Sequence, residues 1–151
     1  MRVCVQRVAR ATVTVNGSIA GQIGQGLLIL IGVGKSDTTH EADWVAEKCA
    51  GLRVFTNSEG KMDLSVLDVK GSVLVVPQFT LYGDVHKGKR PNFTNAAGPE
   101  MGKELYEHFC EQVCKVHGLV VQTGVFGAHM DVELVNDGPV TIWIEKEAEG
   151  S

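Results

Sequence analysis

Residues 77–81, Pro-Gln-Phe-Thr-Leu, directly follow the apolar run Val73-Leu74-Val75-Val76, and residues 136–141, Asn-Asp-Gly-Pro-Val-Thr, separate Leu134-Val135 from Ile142-Trp143-Ile144. In each, a β-branched stretch delivers backbone and small polar groups to a strand end, where a scaffold can hold them rigidly. Where the chain turns at Gln78, Phe79 and Thr80, main-chain N–H groups can leave the ladder and face a ligand. Donors of this kind stabilise the oxyanion of a tetrahedral intermediate, and losing one costs about 3 kcal/mol. At Gly138-Pro139 an X–Pro bond gives up only about 0.5–1 kcal/mol to be cis. A glycine before it has no β-carbon, so its carbonyl can approach a ligand closely. A rigid carbonyl pair can reject one enantiomer by overlap at its Cα and ignore side-chain identity; achiral glycine would pass.

Other reactive-looking residues carry less. Gly32-Val33-Gly34-Lys35-Ser36 lies between a buried strand and a helix, where a phosphate-binding loop would sit. That motif needs a glycine five residues before its Gly-Lys pair, and position 29 is isoleucine. A strand–helix turn is the plainer reading. Cys110, Cys114 and His117 fall on neighbouring helical turns and could converge on a metal, but the cysteines flank an apolar stripe and read as core. His40, His86, His108, His117 and His129 show no ligand spacing with carboxylates, and His129 reads as a strand surface residue. Thr80 is internal and has no base nearby in sequence, so its hydroxyl is a weak nucleophile. Lys87, Lys89 and Arg90, followed by Pro91-Asn92-Phe93, form the one dense basic cluster: a solvated loop, or a set of phosphate contacts.

These residues need elements to position them. Val3, Val5, Val8, Ala11, Val13 and Val15 predict a first strand of period two, and Asn16-Gly17 a type I′ hairpin into a strand over 18–23. After the Gly24-Gln25-Gly26 turn, 27–33 reads as a buried strand. A helix starts near Asp37 or Thr38, with Thr38 and Glu41 at capping-box spacing and Ala42, Val45, Ala46, Cys49 and Leu52 on its apolar face. Strands follow at 53–56 and 72–76, then a long loop over 82–98. Pro99 opens a second helix with Met101, Leu105, Phe109, Val113 and Val116 as its stripe and Gly118 as its end. Strands at 119–123, 129–135 and 140–145 complete an α+β domain. Its sheet is mostly antiparallel and curled toward a barrel, with two covering helices. Residues 1–145 read as one domain and 146–151 as a frayed tail.

Bulk properties set the limits. A chain of 151 residues with 44% apolar content can bury roughly 70% of its unfolded surface. At net charge −4 it has no global basic field, so any RNA contact is local. Its apolar runs are too short to span a bilayer, and with Arg2 and immediate alternation no signal-peptide apolar segment is expected. The four cysteines, Cys4, Cys49, Cys110 and Cys114, fall in stretches that read as core and are expected to be reduced, buried thiols, and a cytoplasmic location is expected.

The two motifs, with Gln6-Arg7-Val8, resemble those of D-aminoacyl-tRNA deacylases, and the resemblance runs from Met1 to about residue 145. It implies a homodimer that hydrolyses the ester between a D-amino acid, or glycine, and the 3′ end of tRNA, without metal or cofactor. It places the aminoacyl carbonyl against Gln78, Phe79 and Thr80, with the N–H groups of Phe79 and Thr80 as donors. The chemistry leans on the 2′-hydroxyl of the terminal adenosine. It makes Gly138-Pro139 cis, held by Arg7, with Val140 and Thr141 beside it, and inserts it into the partner subunit's site. It assigns Phe126 and Met130 to an adenosine pocket, where an aromatic can stack on a base, although core packing would also account for both. One departure is Pro77, where chiral deacylases usually carry serine; proline removes a hydroxyl and an N–H there. A related group that clears mischarged L-alanyl-tRNA carries proline at this position, but lacks Phe79 and the Gly-Pro-Val-Thr run. That activity is the runner-up, and a non-catalytic nucleic-acid-binding protein on the same fold is the alternative of a different class.

Overall fold

The computed structural model describes residues 1–149; Gly150 and Ser151, part of the tail expected to fray, lie outside the described residues. In chain order the elements are β1 (Arg2–Val15), β2 (Ser18–Ile23), β3 (Gly26–Gly32), α1 (Thr39–Gly51), β4 (Phe55–Thr56), β5 (Met62–Leu64), β6 (Ser72–Pro77), α2 (Pro99–Glu111), β7 (Val120–Thr123) and β8 (Asp131–Glu145). A 3₁₀ turn, Phe79–Tyr82, follows β6, and a wider π-type turn, Gln112–Val116, extends α2.

The apolar pattern of β1 changes phase along its length. Val3 and Val5 join one buried cluster, and Val8, Ala11 and Val13 join another. Strand side chains alternate between faces, so the step of three from Val5 to Val8 carries burial to the opposite face. A second step of three, to Ala11, is absorbed by an irregular register against β8 between Val8 and Arg10. β1 therefore serves two cores. β3 and β6 do so by plain alternation: Leu27, Ile29, Ile31, Val73 and Val75 face the helices, while Leu28, Leu74 and Val76 fill the inside of the curled sheet. Fully burying one such side chain contributes about 1.5–3 kcal/mol.

The main sheet runs β2-β1-β3-β6-β7, with β8 paired to β1 over almost its whole length. The pairs made by β1 are antiparallel, whereas β3–β6 and β6–β7 are parallel. Parallel neighbours need long crossovers, and the segments carrying α1 and α2 supply them. The sheet curls nearly shut: a Cβ at Gly21 of β2 would stand 2.6 Å from the Thr123 carbonyl oxygen of β7. At the Asn16-Gly17 turn both residues have positive φ, 51° and 79°, as a type I′ hairpin requires.

α1 begins as its sequence predicts, with Thr38 as N-cap and a reciprocal capping box to Glu41. The strand expected at 53–56 is reduced to Phe55–Thr56, which forms a separate small hairpin with β5. Val116, expected in the buried stripe of α2, is 62% exposed. The π-type turn widens the spiral there and rotates Val116 off the face that buries Phe109 and Val113. Two strands expected at 129–135 and 140–145 are one strand, β8, interrupted by a short excursion. At the base of the tail, the Lys146 N–H bonds to the Met1 carbonyl (2.9 Å), and the Met1 ammonium bonds to the Lys146 carbonyl and to buried Asp37, both at 2.8 Å. Among the described residues no helix is long and apolar enough to cross a membrane.

Candidate active site

β6 ends at Pro77, and the Gln78 N–H still bonds to the Ile31 carbonyl of β3 at 2.7 Å. The chain then tightens into the 3₁₀ turn, closed by Leu81 N–H to Gln78 carbonyl (3.2 Å) and Gly83 N–H to Thr80 carbonyl (2.9 Å). The first N–H groups of such a turn have no acceptor within it. Among the described residues, those of Phe79 and Thr80 donate to no other group either. Both residues are exposed, Phe79 at 57%. Two free donors at the end of a buried strand are what an oxyanion needs.

The Thr80 hydroxyl accepts a hydrogen bond from the Gln78 side-chain amide. An amide N–H cannot take a proton, so this pairing does not activate the hydroxyl as a nucleophile. Thiol chemistry is also remote: burial pushes the Cys49 and Cys110 thiols up to about 12, leaving almost no thiolate at neutral pH. Cys114 is exposed and Cys4 half-buried, so the expectation of four core cysteines holds for Cys49 and, largely, for Cys110. His129 is exposed beside the start of β8. No cluster of His, Cys, Asp or Glu among the described residues could hold a metal.

The 3₁₀ turn is braced from below. Arg2 donates to the Leu81 carbonyl (3.2 Å) and lays its guanidinium 4.3 Å from the centre of the Tyr82 ring. Tyr82 fills the space over Gly34, where a Cβ would sit 2.7 Å from its phenol oxygen. The Gly32-Val33-Gly34 segment thus makes the socket for the turn, a role its sequence alone did not disclose. Above, Phe79 meets Phe93 edge-on at 5.0 Å. Phe93 follows a hairpin closed by two 2.8 Å backbone bonds between Asp84 and Asn92. Lys87, Lys89 and Arg90 are exposed at its end, so the basic cluster and the donor turn belong to one surface region.

Phe126 packs against Tyr106, ring centres 6.0 Å apart, and borders a cleft with Lys103, Tyr106, Thr123 and Gly124. Met130 lies beneath, its sulfur accepting the Val125 N–H at 3.4 Å. Phe126 lines this cleft and also packs on the larger core; Met130 packs on the smaller one.

The second motif is the excursion in β8. The ladder passes from Val8↔Asn136 to Gln6↔Thr141, so β8 spends five steps where β1 spends two, an excess of three residues. Asp137, Gly138 and Pro139 are exposed, while Val140 returns to the core at 7% exposure. The Gly138–Pro139 bond is cis, and Gly138 has φ 154°. A Cβ at Gly138 would meet the Val140 nitrogen at 2.6 Å, so the path admits only glycine. Arg7 clamps the excursion: its Nε donates to the Asp137 carbonyl at 2.7 Å and its Nη1 to the Val54 carbonyl at 2.6 Å. Asn136, in the motif but given no role from the sequence, bonds across the base through its side chain. An asparagine four residues before a returning core residue is the signal that could have found it.

The two motifs do not meet within the chain. The excursion lies level with Arg7, and through Leu27 with Val73, three strands away from β6. That is roughly 14 Å around the sheet, and Gln78 lies more than roughly 13 Å farther along the strands.

Residues 4–145 match the family described as D-Tyr-tRNA(Tyr) deacylase. A D-aminoacyl-tRNA deacylase of Koribacter versatilis is 60% identical over 149 residues, covering 99% of both chains. One of Thermosipho melanesiensis is 51% identical over 97% of this chain and 98% of its own. Among solved structures, the c-Myc DNA Unwinding Element Binding Protein superposes with TM-score 0.93 at 41% identity, over 98% of this chain and all of that one. A second, described as a probable eukaryotic D-amino acid tRNA deacylase, has TM-score 0.80 at 20% identity, over 95% of this chain and 97% of its own, and speaks to the fold alone. With the match spanning both motifs and relatives of this identity aligned end to end, the chain belongs to the D-Tyr-tRNA(Tyr) deacylase family.

Proposed function

We propose that this protein hydrolyses the ester joining a D-amino acid, or glycine, to the 3′ end of tRNA, as a proofreading step in translation. Water adds to the ester carbonyl, the bond to the ribose oxygen breaks, and the tRNA leaves with its 3′-hydroxyl restored. The observation that carries this reading is the pair of unspent N–H groups at Phe79 and Thr80, beside a Thr80 hydroxyl bonded only to an amide. Main-chain donors stabilise the oxyanion, and the terminal 2′-hydroxyl of the substrate assists the attack. A second site that acts on the product is how editing supplies discrimination that first binding cannot.

Selection falls to the clamped excursion at Gly138 and Pro139. A single aminoacyl ester cannot touch that excursion and the Phe79–Thr80 donors of one protomer, given their separation. In this reading the protein is a homodimer and each excursion, with Val140 and Thr141 at its base, enters the partner's site. Phe126 and Met130 hold the terminal adenosine, and Lys87, Lys89 and Arg90 meet tRNA phosphates. A cytoplasmic location follows from the substrate.

Two observations favour other readings. Pro77 points to L-alanyl-tRNA as substrate, and the solved relative named for DNA binding, with the basic hairpin here, points to a binding role without catalysis. One assay separates all three. Purified protein is incubated with D-Tyr-, L-Tyr-, Gly- and L-Ala-tRNA, and released amino acid is followed. Release from D-Tyr- and Gly-tRNA with L-Tyr-tRNA spared is expected. Release from L-Ala-tRNA alone would favour the runner-up, and no release from any would favour the binding protein.

A further inference from the structure

We infer that Asn136 is the positioning residue of the β8 excursion, and that its side-chain amide, acting as a substitute strand partner, sets chiral preference. The inference rests on the reading of Gly138–Pro139 as the chirality filter. Asn136 Oδ1 accepts the Val140 N–H at 2.7 Å, and its Nδ2 donates to the Val140 carbonyl at 3.1 Å. That is the two-bond exchange an antiparallel neighbour would make with Val140, provided instead by a side chain four residues earlier. Nδ2 also donates to Thr141 Oγ1 at 3.1 Å, and Gln6 Nε2 reaches the same oxygen from β1 at 3.4 Å.

The consequence is a matter of reach. Asp137, Gly138 and Pro139 leave the sheet with no ladder partner, yet a steric filter works only if its carbonyls stay within a few tenths of an ångström of one position. Arg7 fixes the outgoing limb through the Asp137 carbonyl. The Val140 side chain is seated in the core, but no ladder partner on β1 fixes its main chain, because β1 resumes pairing only at Gln6↔Thr141. Asn136 fills that gap. Only a group with an acceptor and a donor on one planar end can serve both polar groups of Val140; a carboxylate has no donor and a hydroxyl reaches only one of them.

The test uses the full chain as wild type, Asn136→Asp, Asn136→Ser and Gly138→Ala. Single-turnover hydrolysis of D-Tyr-tRNA and L-Tyr-tRNA is measured with protein in excess, and a urea midpoint reports folding. The expected result is that both Asn136 variants fold and that their D-to-L rate ratio falls by about tenfold or more. A misplacement near 1 Å can cost about 100-fold. A merely structural role would lower the urea midpoint and leave that ratio alone. A wild-type ratio in a folded Asn136 variant overturns the inference, as does failure of both to fold, which would make Asn136 a folding residue. If Gly138→Ala loses the ratio while the Asn136 variants keep it, this inference alone falls. If Gly138→Ala itself keeps the ratio, the filter reading falls and takes the inference with it.

Discussion

Thr80 carries the one aliphatic hydroxyl of residues 77–82, and its hydrogen-bond partner is the Gln78 amide. Removing that hydroxyl leaves the main-chain donors of Phe79 and Thr80 untouched. Thr80→Ala should therefore keep the single-turnover rate constant on D-Tyr-tRNA within about tenfold of wild type. Losing a true nucleophile can cost about 10⁶, so a fall to the uncatalysed rate would restore a threonine mechanism. Local surroundings of this kind were legible in the sequence. Thr80 had no base nearby, and none stands beside its hydroxyl in the fold. Gly138 was marked by its proline, and its strained φ follows from the tight return to Val140. Arg7 was legible only by resemblance, since its second acceptor, the Val54 carbonyl, lies 47 positions away. Asn136 was read as part of its motif but given no role, because its main work is done on the backbone of Val140.

At the scale of elements, the 3₁₀ turn keeps its geometry through the socket beneath it. Gly34→Ala places a Cβ 2.7 Å from the Tyr82 phenol oxygen and 2.9 Å from its ring carbon, so the ring and the turn that carries it must shift. Overpacking of this kind costs about 1–3 kcal/mol of stability, and kcat on D-Tyr-tRNA should fall by about tenfold or more because the donors move with the turn. Unchanged kinetics in a folded Gly34→Ala protein would show that the socket does not set the donors. The helix starts were written in the sequence by Thr38, Glu41 and Pro99, whose chemistry is local. The unity of β8 was not. Its Asn-Asp-Gly-Pro run has the composition of a turn, yet β1 pairs with the strand on both sides of it, and only that long-range ladder makes one strand of two apolar runs. Val116 was misjudged for a related reason: a π-type turn breaks the helical period without leaving a mark in residue type.

Across the whole molecule, one continuous strand pair, β1 with β8, carries Arg7, Asn136 and the excursion, while the parallel block of β3, β6 and β7 carries the donor turn. The fold thus holds the clamped excursion and the donor turn on separate rigid parts. Composition and periodicity anticipated the curled sheet and its two covering helices. They gave no hint of the parallel pairing, which depends on crossovers, or of the distance between the two motifs, which depends on register. The central claim is that inflexible main chain, and no reactive side chain, sorts mirror-image esters. Its most direct test is the ratio of single-turnover rate constants on D-Tyr-tRNA and L-Tyr-tRNA, compared between wild type and Gly138→Ala. The wild type should favour the D ester strongly, and the alanine variant, whose Cβ collides with Val140, should lose that preference or its activity. A Gly138→Ala protein that folds, works and keeps the wild-type ratio would contradict the claim.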